Sequence, residues 1–301
     1  MSFDPVATAK LIRSLGPEIA MPSLGVIAGH YGPHHETEPY QGVRVFRDIP
    51  YGKHDRHKLD IIEPESASKD NPVLPVLLFV HGGGFVGGDK RNPGTPYNDN
   101  VALWAARHGM VGVNITYRLA PEHQYPAGAE DLGAAIAAVK KHIGQHGGDA
   151  NKIFILGTSA GAVHVATYVA RKDLHPNGDS GVAGAILLSG MYDLTKGPHN
   201  DMHYAYYGKD ASTYAAASTV QGLVDSDIPL FLVLTEMDPS DFQAQTLQVV
   251  NRYFEKHGVW PNFVRLQGHS HFSSTLHMNT PDNYLGEQIL DFVHNVAPAK
   301  L

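Results

Sequence analysis

The chain has 301 residues, a formal net charge of −7, 18% charged residues, no cysteine and 19 histidines. That length suits one large α/β domain or two small ones and can bury a sizeable core. The composition excludes a basic block for nucleic acid or an anionic membrane, a thiol nucleophile or disulfide, and any apolar run near the about 20 residues of a membrane span.

The N-terminus shows no basic segment followed by an apolar one, so no signal peptide is visible and the cytosol is the expected compartment. Histidine pairs such as His34-His35, and His54 near His57, raise the question of a metal. No His-Glu-x-x-His spacing accompanies them, so they read as surface or capping residues.

Residues 1–40 read as an appended arm. Val6 to Leu15 has apolar residues at helical spacing, and Pro17, Pro22, Pro33 and Pro39 break the rest of the arm. From Val43 to Ile49 the pattern alternates as a half-exposed strand, with Lys58–Ile62 as its antiparallel partner. Val73–Val80 is a continuous apolar run, expected of a strand buried on both faces. It ends in His81-Gly82-Gly83-Gly84. Three glycines in a row are costly in chain entropy, and directly after a core strand they fit a loop whose N–H groups turn inward to hold an oxyanion.

Asn98–His108 reads as a helix and Met110–Ile115 as the next buried strand, followed by Tyr117–Ala127 and an Ala-rich helix over 128–146. Then comes Ile153-Phe154-Ile155-Leu156-Gly157-Thr158-Ser159-Ala160-Gly161, with a small-residue helix after it. A buried strand, Gly-x-Ser-x-Gly and a helix make the strained turn that presents a nucleophilic serine. Glycines two before and two after Ser159 allow close backbone passage, and the helix N-terminus favours an oxyanion. Residues 183–189 form another strand. Residues 194–226, with Tyr204, Tyr206, Tyr207 and Tyr214, read as an inserted helical lid. Strand and helix resume at 228–235 and 240–257, with a strand at 263–266 and a last helix at 283–296 after them. Strands alternating with helices predict a mostly parallel sheet covered on both faces.

A serine hydroxyl needs a base, and the base an orienting anion. In this architecture the order is serine, acid, histidine, at the carboxyl ends of strands. After the 228–235 strand stand Glu236, Asp238 and Asp241. Asp238, fixed by Pro239, is the choice for the acid. Glu236 reads as a supporting or solvated residue and Asp241 as part of the next helix's first turn, unless all three cap that helix. After the 263–266 strand, His271 is preferred as the base, with His269 the runner-up and His277 too far along.

Together these residues resemble the hormone-sensitive-lipase-like esterases of the α/β-hydrolase fold, over residues 40–297. The marks are His81-Gly82-Gly83-Gly84, Tyr117–His123, Gly157–Gly161, Asp238-Pro239 and His271-Phe272. The resemblance implies an eight-stranded sheet with strand 2 antiparallel, helices on both faces, and a small cap from the 1–40 arm and the 194–226 insertion of a 41–301 catalytic domain. It implies an oxyanion hole of Gly83, Gly84 and Ala160, with His81 and Gly82 supporting it and Glu122 and Asp131 as structural ties. The implied activity is hydrolysis of short-chain carboxylic esters without metal or cofactor, on a small-molecule ester. Pairing of two copies through the edge strand near the C-terminus is a further family expectation. Thr158 stands where many members carry Asp, Ala162 where Gly is common, and Ser240 where Leu follows Asp-Pro. His271-Phe272 lacks an intervening Gly, a feature also similar to arylformamidases, so a formamide-cleaving amidase is the second enzyme reading. A non-catalytic small-molecule receptor on the same fold is the third.

Overall fold

The computed structural model describes residues 3–295. Eight strands form one sheet: β1 (Val43–Pro50), β2 (Lys58–Pro64), β3 (Leu74–Val80), β4 (Val111–Ile115), β5 (Gly148–Thr158), β6 (Gly184–Leu188), β7 (Leu230–Met237) and β8 (Asn262–Ser270). Their spatial order is β1-β2-β4-β3-β5-β6-β7-β8. Only β2 runs against its neighbours; the other pairings, from β4 to β8, are parallel.

The helices are α1 (Pro5–Ser14), α2 (Met21–Tyr31), α3 (Asp99–Arg107), α4 (Ala127–His142), α5 (Ala160–Ala170), α6 (Asp201–Tyr207), α7 (Tyr214–Ala217), α8 (Val220–Asp225), α9 (Ser240–His257), α10 (Ser273–Leu276) and α11 (Tyr284–Asn295). Strand periodicity assigns them to two faces. Val76, Leu78 and Val80 of β3 pack with α4, α5, α8 and α9, whereas Leu77 and Phe79 pack with α3 and α11. Both faces of the central strands are therefore apolar, which is why they read as continuous hydrophobic runs. No helix among the described residues is long and apolar enough to cross a membrane.

Two elements differ from the sequence reading. The arm holds a second helix, α2, where the prolines predicted a broken chain. Pro22 sits in its first turn, where the missing N–H leaves no bond unmade. Ile12, Ile27 and Tyr31 then bury against Leu276, with Met237 and Phe272 alongside. The 194–226 insertion also divides. Tyr206 and Tyr214 pack over Phe85 and Ala160, but Val220 and Leu223 of α8 join the core beneath the sheet. A Cβ at Gly222 would stand 2.4 Å from Ala170 Cβ, so α8 lies directly on α5.

Candidate active site

Ser159 lies between β5 and α5 with φ 54° and ψ −122°, a conformation rare for a residue with a Cβ. Its neighbours make the turn possible. A Cβ at Gly157 would stand 2.3 Å from Gly161 O, and one at Gly161 would stand 2.1 Å from Val80 O. The Ser159 N–H donates to Leu188 O at 2.9 Å, tying the turn to the end of β6.

The glycine loop leaves β3 and passes over this turn. A Cβ at Gly82 would come within 3.2 Å of Ser159 Cβ. Gly83 (φ 126°), Gly84 (φ 60°) and Phe85 (φ 70°) all have positive φ. Gly83 O accepts from Val86 N and Gly87 N at 3.3 and 3.1 Å. Among the described residues, the Gly83 and Gly84 N–H groups donate to no protein acceptor. With Ala160 N at the first position of α5, these donors are available to an anion. His81 braces the loop: its Nδ1–H donates to Gly82 O at 2.6 Å and its ring stacks on Tyr117 with centroids 4.4 Å apart. Burial pushes its pKa down to about 4, so it stays neutral.

Asp238 ends the turn after β7 and is fully buried. Its Oδ2 accepts from Ser189 Oγ at 2.6 Å and Thr235 N at 2.7 Å, and its Oδ1 accepts from His271 Nδ1 at 2.8 Å. Burial raises the pKa of this carboxyl, but the hydrogen bond and charge of His271, with the Ser189 and Thr235 donors, outweigh it. The net shift is downward, and the group stays ionised. His271 comes directly after β8, its ring edge-on to Phe242 at 5.0 Å. Ser159, Ser189, Asp238 and His271 thus stand after the carboxyl ends of β5, β6, β7 and β8. Among the described residues neither Ser159 Oγ nor His271 Nε2 has a hydrogen-bond partner; catalytic contacts are commonly long before substrate binds.

The structure separates the competing candidates. Glu236 is held elsewhere, by Arg13 at 2.8 Å through both oxygens and by Gly268 N at 2.7 Å. Those bonds pull its pKa down to about 2. Asp241 is in the first turn of α9. His269 faces Ser273 and Asp282 rather than Asp238. One expectation is corrected: Glu122 is exposed and makes no hydrogen bond among the described residues. The tie it was expected to provide comes from Asp131, which accepts from Arg118 N at 2.7 Å and Arg118 Nε at 2.8 Å and lies 3.0 Å from His57 Nε2. Ser189 was missed. Its only signal was a serine ending a buried apolar run, the position in this architecture where site residues gather.

Residues 77–254 match a family described by the alpha/beta hydrolase fold. Probable carboxylesterase 13 of Arabidopsis thaliana is 33% identical over 182 residues, 55% of this chain and 54% of that protein. Probable carboxylic ester hydrolase LipM of Mycobacterium tuberculosis is 31% identical over 210 residues, 64% of this chain and 47% of that protein. The chain spans about half the length of the curated relatives it matches. Esterase B of Lactobacillus Rhamnosis superposes with a TM-score of 0.72 at 17% identity, over 97% of this chain and 96% of that one, a likeness of fold. With the family match spanning more than half of its residues, the chain belongs to the α/β-hydrolase family.

Proposed function

We propose that the chain is a serine carboxylesterase that hydrolyses short-chain esters through an acyl-enzyme. The observation that carries this is the buried, ionised Asp238 bonded to His271 Nδ1, at the sheet end where Ser159 occupies its strained turn. Asp238 holds the imidazole with its proton on Nδ1, leaving Nε2 as the base. His271 Nε2 takes the Ser159 proton as Oγ attacks the ester carbonyl carbon. The oxyanion accepts from the N–H groups of Gly83, Gly84 and Ala160. The tetrahedral adduct collapses, the C–O bond to the alcohol breaks, and the proton on Nε2 passes to the departing alkoxide. Water repeats the sequence on the acyl-enzyme and releases the acid. The relatives' names support ester hydrolysis. A small acyl group is favoured by the aromatic packing above Ala160, where Phe85 stacks on Tyr206 at 4.6 Å and Tyr207 meets Phe85 at 5.7 Å.

The test is a p-nitrophenyl ester series from acetate to palmitate on wild type and Ser159→Ala. Acetate and butyrate turn over fastest, and the variant keeps less than a few per cent of that rate with an unchanged melting temperature. A variant with near-wild-type turnover sinks the nucleophile assignment. An N-formylkynurenine arm in the same series separates the formamide reading raised by His271-Phe272.

A further inference from the structure

A second polar cluster lies along the segment that carries His271 but faces away from Asp238. His269 is in β8, His277 caps α10 and Asp282 lies in the turn before α11. One ligand atom from each stands within 4.8 Å of the others. His277 is fully buried and His269 is 5% exposed.

Hydrogen bonding decides which nitrogens face inward. His277 Nδ1 is 2.6 Å from Ser273 O, and a carbonyl only accepts, so Nδ1 carries the proton and Nε2 a lone pair. That Nε2 is buried and has no hydrogen-bond partner among the described residues. Ser273 Oγ accepts from Ser270 N at 2.8 Å and donates to Ser270 O at 3.2 Å. Its remaining lone pair takes the Nδ1–H of His269 at 3.1 Å. His269 Nε2 is then a bare acceptor too, yet it stands 3.4 Å from Asp282 Oδ2. Apart from the Tyr31 hydroxyl, which donates to Asp282 Oδ2 at 3.2 Å, two imidazole lone pairs and a carboxylate face one another without a donor. Such an arrangement is costly in a buried place unless a cation joins it.

We propose that His269, His277 and Asp282 bind one divalent transition-metal cation of the zinc class. Two imidazole nitrogens and a carboxylate oxygen suit that class rather than calcium or magnesium. Ligands about 2.0–2.1 Å from a tetrahedral zinc stand roughly 3.4 Å apart, the separation of His269 Nε2 from Asp282 Oδ2. Both remote N–H groups are anchored on Ser273, the outer bonding that orients metal-binding histidines. Tyr31 anchors the carboxylate in the same way. The cation joins the end of β8, α10 and the turn before α11, and through Tyr31 it engages the N-terminal arm. It acts as a staple for this segment, a role different from that of base, for which His269 was the runner-up and His277 too far along. Any effect on turnover rests on the esterase reading, so the test reads metal rather than hydrolysis.

Tag-free protein, stripped with chelator and dialysed, is titrated with Zn²⁺ by calorimetry and with Co²⁺ by visible absorption, with Mg²⁺ as control. Wild type binds one equivalent of Zn²⁺, gives the intense bands of four-coordinate cobalt and ignores Mg²⁺. Zn²⁺ at a hundredfold excess over Kd raises Tm by about 4 °C. Asp282→Asn, at a partly exposed site and with Tyr31 still able to bond it, weakens Zn²⁺ binding at least tenfold; His269→Gln does the same. Circular dichroism of each variant before titration establishes that it is folded, and wild-type stoichiometry with the cobalt spectrum decides alone if neither is. The proposal is overturned by substoichiometric Zn²⁺ in wild type, by octahedral-type cobalt bands, or by folded variants that titrate like wild type, which would put the ion elsewhere among the 19 histidines.

Discussion

Replacing Asp238 with Asn changes almost nothing in shape and one thing in chemistry. Asp238 Oδ2 takes two donors, Ser189 Oγ and Thr235 N. In the variant that position must remain an oxygen, because an NH₂ there would face an N–H donor. The amide NH₂ is therefore forced onto the Oδ1 side, against His271 Nδ1. The ring must then accept at Nδ1 and carry its proton on Nε2, where it cannot take the Ser159 proton. The same tautomer inversion in a serine protease costs about 10⁴ in kcat, equivalent to about 5.5 kcal/mol of transition-state stabilisation. The loss falls on kcat, because substrate binding does not use the carboxylate. Steady-state kinetics with p-nitrophenyl butyrate, and the acyl-enzyme burst, measure it. Circular dichroism confirms that the variant is folded. A folded Asp238→Asn protein keeping a tenth or more of wild-type kcat would refute the assignment of Asp238 as the orienting acid.

Close approach and burial set further outcomes. Gly161→Ala puts a Cβ 2.1 Å from Val80 O and 2.6 Å from His81 O, atoms of the main chain beneath the glycine loop. It is expected to cost about 3 kcal/mol or more, read as a lowered urea midpoint. Gly29→Ala in α2 meets nothing within 4 Å and should add about 0.5–1 kcal/mol of stability through helix propensity, read as a raised midpoint. His81 and His164 are buried, and burial pushes their pKa values down to about 4 and about 3. The unfolded chain binds these protons near pH 6.5 while the native state does not. Their stability contribution is therefore complete above pH 6.5 and is lost as pH falls towards 4 and 3, at about 1.4 kcal/mol per pH unit for each. Urea midpoints across pH 6 to 5, below the unfolded pKa, give the slope, and His164→Gln should remove a little under ~1.4 kcal/mol per unit of it whatever its absolute stability. An unchanged slope would mean that His164 is not neutral and sealed in the native state.

Much of the fold was written locally. The apolar runs at 74–80, 153–156 and 230–235 mark central strands because both faces of the sheet are covered. Gly-x-Ser-x-Gly marks its turn because two close backbone passes exclude every Cβ. Less legible was α2, since its helical state owes more to Ile27 and Tyr31 burying against Leu276 than to propensity. The choice among acids was also beyond local reading. Glu236 and Asp238 leave the same strand end, and what separates them is Arg13, 223 positions away, which claims the glutamate. Ser189 gained its contact with Asp238 only when β6 came to lie beside β7. Glu122 yielded to Asp131 because α4 brings the aspartate back to Arg118, while the loop leaves the glutamate in solvent. Side-chain periodicity and turn chemistry act within a few residues, so the sequence by itself determined the strands, the serine turn and the order of the candidates. Pairing of buried polar groups depends on which strand ends become neighbours, and only the folded sheet decided which acid, which histidine and which supporting serine meet.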